Sequence, residues 1–423
     1  MARFRIAAAV ILLALPVLLF GGCKKELPAG TITGIPSRPD DGGNENTVLQ
    51  APSVLEKLQN GEISIEEGTL PEIRVNLCAI GDIMAHDGTY EAAKTGDTYQ
   101  FDYMFADIAP YAAEADYIVG NLETVFAGRE RTYSTYPAFN TPEQMGEALA
   151  RVFGLDLLST ANNHCMDRGI SGLKTTLDYL DSYGIAHTGT YRSEEDSREP
   201  FIADINGARI AFLAYTYGLN GANPNSYSVN IISKDALQRD AEAAREEGAD
   251  YVVALLHWGT EYQRTASESQ RSLAKWLFEN TEIDLIIGNH PHVTQPIEEF
   301  RVTVDGREKT SYVFYALGNF TSEQLFEYSN TGIMVNIHLV IDREDYRKNR
   351  VEAITYTPVF VDPNPKATGK RYRVISVSKA VADYEAGRDD LISEKEYRQL
   401  SGYIKDYEEQ LATLDIVSEY RIP

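Results

Sequence analysis

The stretch Leu285-Ile286-Ile287-Gly288-Asn289-His290-Pro291-His292-Val293 sets the fold of everything around it. An apolar run of strand length stops at Gly288, and two imidazoles follow, separated by Pro291. In extended backbone, residues i and i+2 point the same way, so His290 and His292 face one object. Proline holds its own φ near about −65° and biases the residue before it toward the β or polyproline region. Extended backbone at the pair, with both rings fixed, is therefore expected. Fixed paired imidazoles suit a metal ion or a phosphate, and two hydrogen-bonded loop histidines are the plainer alternative.

The same grammar recurs along the chain. Residues 73–80 lead into Gly81-Asp82, 117–120 into Asn121-Leu122-Glu123, and 155–160 into Asn162-Asn163-His164. Residues 251–256 lead into His257-Trp258-Gly259-Thr260-Glu261, and 312–317 into Gly318-Asn319-Phe320. Continuous apolar runs suit strands buried on both faces, and 143–153, 172–183, 235–247 and 267–280 between them carry helical spacing. Alternating strands and helices imply an α/β domain, in which ligands gather at the carboxyl ends of strands. Taken singly, Asp82 and Asn163 are as well explained as turn formers or helix caps. Recurrence at successive strand ends points instead to one pocket.

The donor types point to a metal. Asp82, Glu123, Asn163 and the imidazoles of His164, His257, His290 and His292 form a mixed nitrogen and oxygen set without thiolate. Such a set suits Mn, Fe or Zn better than calcium. Two ions about 4 Å apart, or one ion with His164, would polarise a phosphoryl group and activate water, with His164 as the general acid. Asp82 then belongs to the catalytic centre as well as to the metal ligands. Arg168 has a planar fork suited to phosphate or carboxylate, although with Asp167 it also fits the start of a helix. Glu261 is expected to orient His257 or a neighbour, and Asn319 to support the ligands from behind. Cys78 and Cys165 read as small core hydrophobes.

Composition narrows the partners. Of 423 residues, 39 are Lys or Arg and 63 are Asp or Glu, a formal net charge of −24 that argues against nucleic acid. An acidic body repels anionic polymers, so an anionic substrate would need a local cation. With three cysteines and no CxxC spacing, neither a disulfide framework nor a zinc ribbon is expected.

The ends of the chain read differently from the middle. Arg3 and Arg5 precede an apolar run over 6–20 that is short for a membrane span, which fits a secretory signal over 1–22. The run ends at Gly21-Gly22-Cys23 and resembles the bacterial lipobox, which implies lipidation of Cys23; an ordinary cleaved signal is the alternative. Diacyl modification would supply the two chains that stable anchoring requires. Residues 23–71 have the composition of a flexible linker. The folded domain is expected over 72–362, and 363–423 as a C-terminal helical appendage with Tyr397, Leu400, Tyr403, Ile404 and Tyr407 on one face.

The motifs Gly81-Asp82-Ile83-Met84, Gly120-Asn121-Leu122-Glu123, Asn162-Asn163-His164, His257-Trp258-Gly259 with Glu261, Gly288-Asn289-His290-Pro291-His292-Val293 and Leu317-Gly318-Asn319-Phe320, in that order, closely resemble the CapA-like capsule and poly-γ-glutamate synthesis family of bacteria. The resemblance implies an α/β fold, the four-layer α/β/β/α metallophosphoesterase-like sandwich. It also implies a divalent metal site with one or two ions, and a role at the bacterial cell surface with an anionic envelope polymer or its synthesis machinery. Asp82, Asn163, His164, His257, His290 and His292 match the metallophosphoesterase pattern. Met84 stands where that pattern has a histidine, and Asn121 where it has a bridging aspartate. Glu123 is then the candidate to supply the missing charge, and His86 stands at a different spacing from Asp82. Three functions follow from the resemblance: participation in polymer synthesis or attachment, active hydrolysis of envelope phosphate esters, or a non-enzymatic scaffold that grips a polymer.

Overall fold

The computed structural model describes residues 72–304, 306–364, 369–388, 392–411, 413–420 and 422. The expected signal, the linker and the lipidation position Cys23 lie outside the described residues. Among the described residues no helix is long and apolar enough to cross a membrane.

The strands in chain order are β1 (Ile73–Ile83), β2 (Lys94–Thr95), β3 (Thr98–Tyr99), β4 (Tyr117–Leu122), β5 (Leu157–Ser159) and β6 (Ala186–Thr188). Next come β7 (Phe201–Ile205), β8 (Ala208–Thr216), β9 (Tyr251–His257), β10 (Leu285–Asn289), β11 (Ile297–Val304) and β12 (Arg307–Phe314). The last are β13 (Asn319–Thr321), β14 (Thr331–Ile341), β15 (Arg350–Asp362), β16 (Arg373–Ser376) and β17 (Val417–Glu419). One sheet runs β16-β15-β14-β1-β4-β5-β6, with β13 also on β1 and β17 on β15. The other runs β11-β12-β10-β9-β8-β7, and β2-β3 is a separate small ribbon.

Alternate burial shows how the layers stack. In β8, Ile210, Phe212 and Ala214 face the core shared with the first sheet. Ala211, Leu213 and Tyr215 face the other way, onto Leu237, Ala241 and Ala244 of helix Lys234–Glu246 and Ala274, Leu277 and Phe278 of helix Glu268–Asn280. β9 divides likewise, Val253 and Leu255 against Val252, Ala254 and Leu256. Across the inter-sheet core, Tyr117 of β4 stacks on Phe212 of β8 at 5.6 Å. Beyond the first sheet, Phe105 and Phe153 close on Phe320 of β13 at 6.1 and 5.0 Å, and helix Gly169–Tyr183 buries Leu173, Leu177 and Leu180. The order is helix, sheet, sheet, helix, the expected α/β/β/α sandwich. Each fully buried Leu, Val, Ile or Phe contributes about 1.5–3 kcal/mol, so both sheet faces must stay apolar. Cys78 and Cys165 are buried free thiols in this core, and burial pushes Cys165 up to about 12.

The helices follow local chemistry. Ser267 and Gln270 form a reciprocal cap that starts Glu268–Asn280. The expected helix over 143–153 is α-helical over Gln144–Ala148 and widens to a π-turn over Leu149–Phe153. At the C-terminus, helices Val377–Glu385 and Glu394–Leu411 form as the spacing predicts, and Leu400, Tyr403, Tyr407 and Leu411 are buried. The same segment adds β16 and β17 to the first sheet, so its helices pack against the domain. Gln410 reaches the loop after His292, donating to the Thr294 carbonyl at 2.9 Å.

One expected strand is divided between the sheets. The apolar run over 312–317 belongs to β12 only as far as Phe314; β13 then pairs with β1 in the other sheet. Backbone crosses backbone at this point, and the Asp82 N–H donates to the Gly318 carbonyl at 2.9 Å. A Cβ on Gly81 would lie 1.9 Å from that carbonyl oxygen. Gly81→Ala is therefore expected to lower stability by about 1–3 kcal/mol, read as an earlier urea midpoint. An unchanged midpoint would mean that the two strands have room to separate.

Candidate metal centre

Parallel pairing brings the ligand-type residues to one edge. Asp82 of β1 is in register with Asn121 of β4 and Asn319 of β13, and Asn121 with Ser159 of β5. In the second sheet His257 of β9 is in register with Thr216 of β8 and Asn289 of β10. Both sets of carboxyl ends open on the same pocket.

Asp82 and Glu123 are completely buried at its centre. Asp82 is held on every side: Asn121 Nδ2 donates to Oδ1 at 2.8 Å, the His290 N–H donates to Oδ2 at 3.2 Å, and His292 Nδ1 lies 3.3 Å from Oδ2. Glu123 is the opposite case. Neither carboxylate oxygen accepts a hydrogen bond from the described residues. Its Oε1 stands between two rings, 3.5 Å from His257 Nε2 and 3.7 Å from His292 Nε2. Ligand atoms gather within 4.8 Å of one another in three overlapping groups: Asp82, Glu123 and His292; Glu123, His257 and His290; and Glu261, His290 and His292.

A buried, unpartnered carboxylate costs several kcal/mol unless a cation or proton answers it. Burial pushes Glu123 well above the usual carboxylate range, and the neighbouring Asp82 charge adds to this. Burial also pushes Asp82 upward, but the hydrogen bond and charge of His292 outweigh it and leave Asp82 below its ordinary value. His292 is raised to about 9, because Glu123 and Asp82 overcome the effect of burial. His257 and His290 are driven down to about 3 and about 2, first by burial and then by neighbouring imidazoles. Two carboxylates beside the neutral rings of His257 and His290, with His292 able to give up its proton to an incoming ion, make a donor set that fits a divalent cation.

The supporting groups fix ring orientation. His292 Nδ1 is 3.1 Å from Asn319 Oδ1, and Asn319 in turn donates to the Ser329 carbonyl at 2.7 Å. His257 Nε2 is 2.8 Å from Asn163 Oδ1, while its Nδ1 lies 3.3 Å from Asn121 Nδ2. Such partners set the tautomer that a ligating imidazole presents. Glu261 sits with His290 and His292 at the exposed side of the pocket.

His164 stands beside the cluster rather than in its ligand groups. Its Nδ1 is 2.7 Å from Asp167 Oδ2, an oxygen that also accepts the Phe139 N–H at 2.7 Å. Asn220 approaches its Nε2 at 3.2 Å. Arg168 points elsewhere, binding Ser134 Oγ and donating to the Ala138 carbonyl at 3.0 Å, as its position ahead of helix Gly169–Tyr183 dictates. His86 Nδ1 accepts the Glu323 N–H at 3.2 Å, and burial lowers it to about 4.

The backbone at the histidine pair differs from the extended form expected. His290 has φ of 103° and His292 of 59°, both left-handed, with bends in place of strand after Asn289. The proline rule is local, and here tertiary bonds override it: His290 N–H turns in to Asp82, and the Pro291 carbonyl accepts the Tyr262 N–H at 2.8 Å. Strain of this kind costs about 1–3 kcal/mol and persists where surrounding contacts impose it.

Asp167 reads from the sequence only as part of a helix start, and three further residues escape a search confined to metal-ligand types. Asp167 lies three positions after His164, a spacing the sequence displays. Tyr217, Asn220 and Tyr262 come from loops, with Tyr217 at the end of β8 and its ring 4.6 Å from His290. Tyr262 lies 5.9 Å from the His292 ring.

The sequence matches the family described as bacterial capsule synthesis protein PGA_cap over residues 76–324. The chain belongs to that family. Within it, the capsule biosynthesis protein CapA of Bacillus anthracis is 29% identical over 279 residues, 63% of this chain and 64% of the relative. The PGA biosynthesis protein CapA of Bacillus subtilis (strain 168) is 27% identical over 301 residues, 69% of this chain and 73% of the relative. The match thus spans just under two thirds of the B. anthracis protein. Among solved structures, the NAD nucleotidase NadN of Haemophilus influenzae aligns at 12% identity and a TM-score of 0.44, covering 82% of this chain and 57% of that one. The calcineurin-like phosphoesterase YfkN of B. subtilis aligns at 13% identity and a TM-score of 0.39, covering 76% and 98%.

The titration of the cluster has a measurable consequence in chelator. His257 and His290, lowered when folded, stabilise the fold above about 6.5 and lose that contribution as pH falls. His292, raised to about 9, contributes fully below about 6.5 and loses it as pH rises through about 9. Metal-free protein is expected to melt highest near pH 6.5 and lower at pH 5 and pH 9, read by thermal melts. A melting temperature still climbing at pH 9 would contradict these assignments.

Proposed function

We propose that this PGA_cap protein is a surface-anchored, metal-dependent phosphoesterase-type component of capsule polymer synthesis. The observation that carries the metal is Glu123, a fully buried carboxylate between two imidazoles that accepts no hydrogen bond from the described residues. The capsule role draws on the family and on relatives named for capsule and PGA biosynthesis. Anchoring draws on the lipobox-like run ending at Cys23.

Asp82, Glu123, His257, His290 and His292 are the residues that would hold one or two ions, with Asn163 beside them. When bound, a divalent ion supplies Lewis acidity and a more acidic water. The chain itself handles the rest. Asn121 and the His290 N–H fix Asp82, and Asn319 fixes His292. Asp167 binds Nδ1 of His164, so Nε2 is the atom that exchanges a proton with a leaving oxygen. An envelope phosphate ester is the substrate class that suits these roles, in an anionic polymer or its carrier. Manganese, iron and zinc all fit the donor types.

Two variants separate binding from turnover. Glu123→Gln is expected to lower metal content measured after dialysis, by about tenfold or more in affinity. His164→Ala should keep its metal and lose about 10²-fold or more in hydrolysis of a generic phosphodiester with added manganese. Metal bound by the wild type with no turnover of any phosphate ester would favour the polymer-gripping scaffold instead.

A further inference from the structure

Rings stand at the mouth of the pocket. Tyr217 is 47% exposed with its ring 4.6 Å from His290, and Tyr262 stands on the His292 side. Phe326 is 58% exposed and lies 4.1 Å from Tyr262, and next to it Leu325 is 96% exposed. Exposed aromatic and apolar side chains gathered at one opening mark a contact surface. The loop that carries Leu325 and Phe326 is tied to the metal centre: Asn319, beside His292, donates to Gln324 Oε1 at 2.9 Å.

Charge at this opening is acidic. The Glu261 carboxylate lies with the nitrogens of His290 and His292 on the exposed side, close enough for its charge to act on both Tyr217 and Tyr262. Cations nearby in sequence are engaged elsewhere. Arg168 holds the Ala138 carbonyl, and Arg264 donates to Gln410 at 2.7 Å and stacks 3.9 Å over Tyr328. Beyond Phe326 a groove of about 870 Å³ continues past Tyr328, Tyr372 and Tyr403, and among the described residues its acidic Glu323, Glu327 and Asp406 outnumber Arg371 and Lys395. A polyglutamate chain laid here would meet like charge, on a body of net charge −24. An uncharged hydroxylated ring meets flat aromatic faces for its C–H side and a carboxylate for its hydroxyls.

We propose that Tyr217, Tyr262 and Phe326, with Glu261 among them, form a subsite for a sugar ring joined to the phosphate that the cluster handles. The inference rests on the phosphoesterase reading for the phosphate but not for the ring. It makes the substrate a phosphorylated saccharide in place of a bare polyanion.

Calorimetry on the manganese-loaded chain tests it with a panel of sugar 1-phosphates, glycerol 3-phosphate, AMP and a γ-glutamate oligomer. At least one sugar phosphate should bind about tenfold tighter than glycerol 3-phosphate. Tyr217→Leu and Phe326→Ser, both at exposed positions, should shrink the difference to about twofold at unchanged manganese content, and Tyr217→Phe should keep it. Equal binding of sugar and glycerol phosphates, or tighter binding of AMP or of the glutamate oligomer, would overturn the proposal. Manganese content is measured separately, so a failure of the metal reading is seen on its own. In that case saturation-transfer NMR with methyl glycosides on the metal-free chain still reads the rings. Transfer that is absent, or unchanged in Tyr217→Leu, would equally overturn it.

Discussion

Two carboxylates buried side by side are the constraint on which the rest of this structure depends. Asp82 and Glu123 are both sealed from solvent, and among the described residues Asp82 has its lone pairs answered while Glu123 has not. A pair of charges in that position is tolerable only with imidazolium, a proton or a metal between them. The surrounding imidazoles divide accordingly: His292 is pulled toward the charged form, while His257 and His290 are held neutral, His290 with Nδ1 unpartnered among the described residues and His257 oriented by Asn163 and Asn121. This asymmetry is what distinguishes a metal-ready pocket from a cluster of satisfied core histidines.

Architecture makes the convergence possible. Strand ends from two different sheets meet because the chain leaves the second sheet after β12 and pairs as β13 with β1 in the first. That crossing needs backbone against backbone, which is why Gly81 and Gly318 oppose each other there. The C-terminal helix closes the same corner, with Tyr407 bonded to Thr331 at 2.7 Å and Gln410 to the loop after His292. Stability and site geometry therefore share one set of contacts.

Much of this was legible in the chain itself, for reasons that particular residues make clear. Apolar runs buried on both faces are a local signal, and the residue after each run is easy to name, so Asp82, Glu123, His257 and His292 could be grouped before any coordinates. What local pattern cannot carry is partnership at a distance. The assignment of β12 and β13 to different sheets depends on pairing across the sequence, and so did the left-handed backbone at His290, imposed by Asp82 more than two hundred positions away. For Arg168 the sequence left two readings, an anion grip and a place at a helix start, and the loop carbonyl in reach gives its guanidinium the structural one. β8 carries the same apolar signature as its neighbours, but it ends on Thr216 and Tyr217, and a search for metal ligands passes over a tyrosine. The aromatic mouth was hidden for that reason.

Anomalous diffraction from crystals soaked in manganese tests the central claim most directly. A peak is expected within coordination distance of both a Glu123 oxygen and an imidazole nitrogen of His257 or His292. A pocket with the same ring arrangement and no anomalous peak, its carboxylates answered by a shared proton instead, would contradict it.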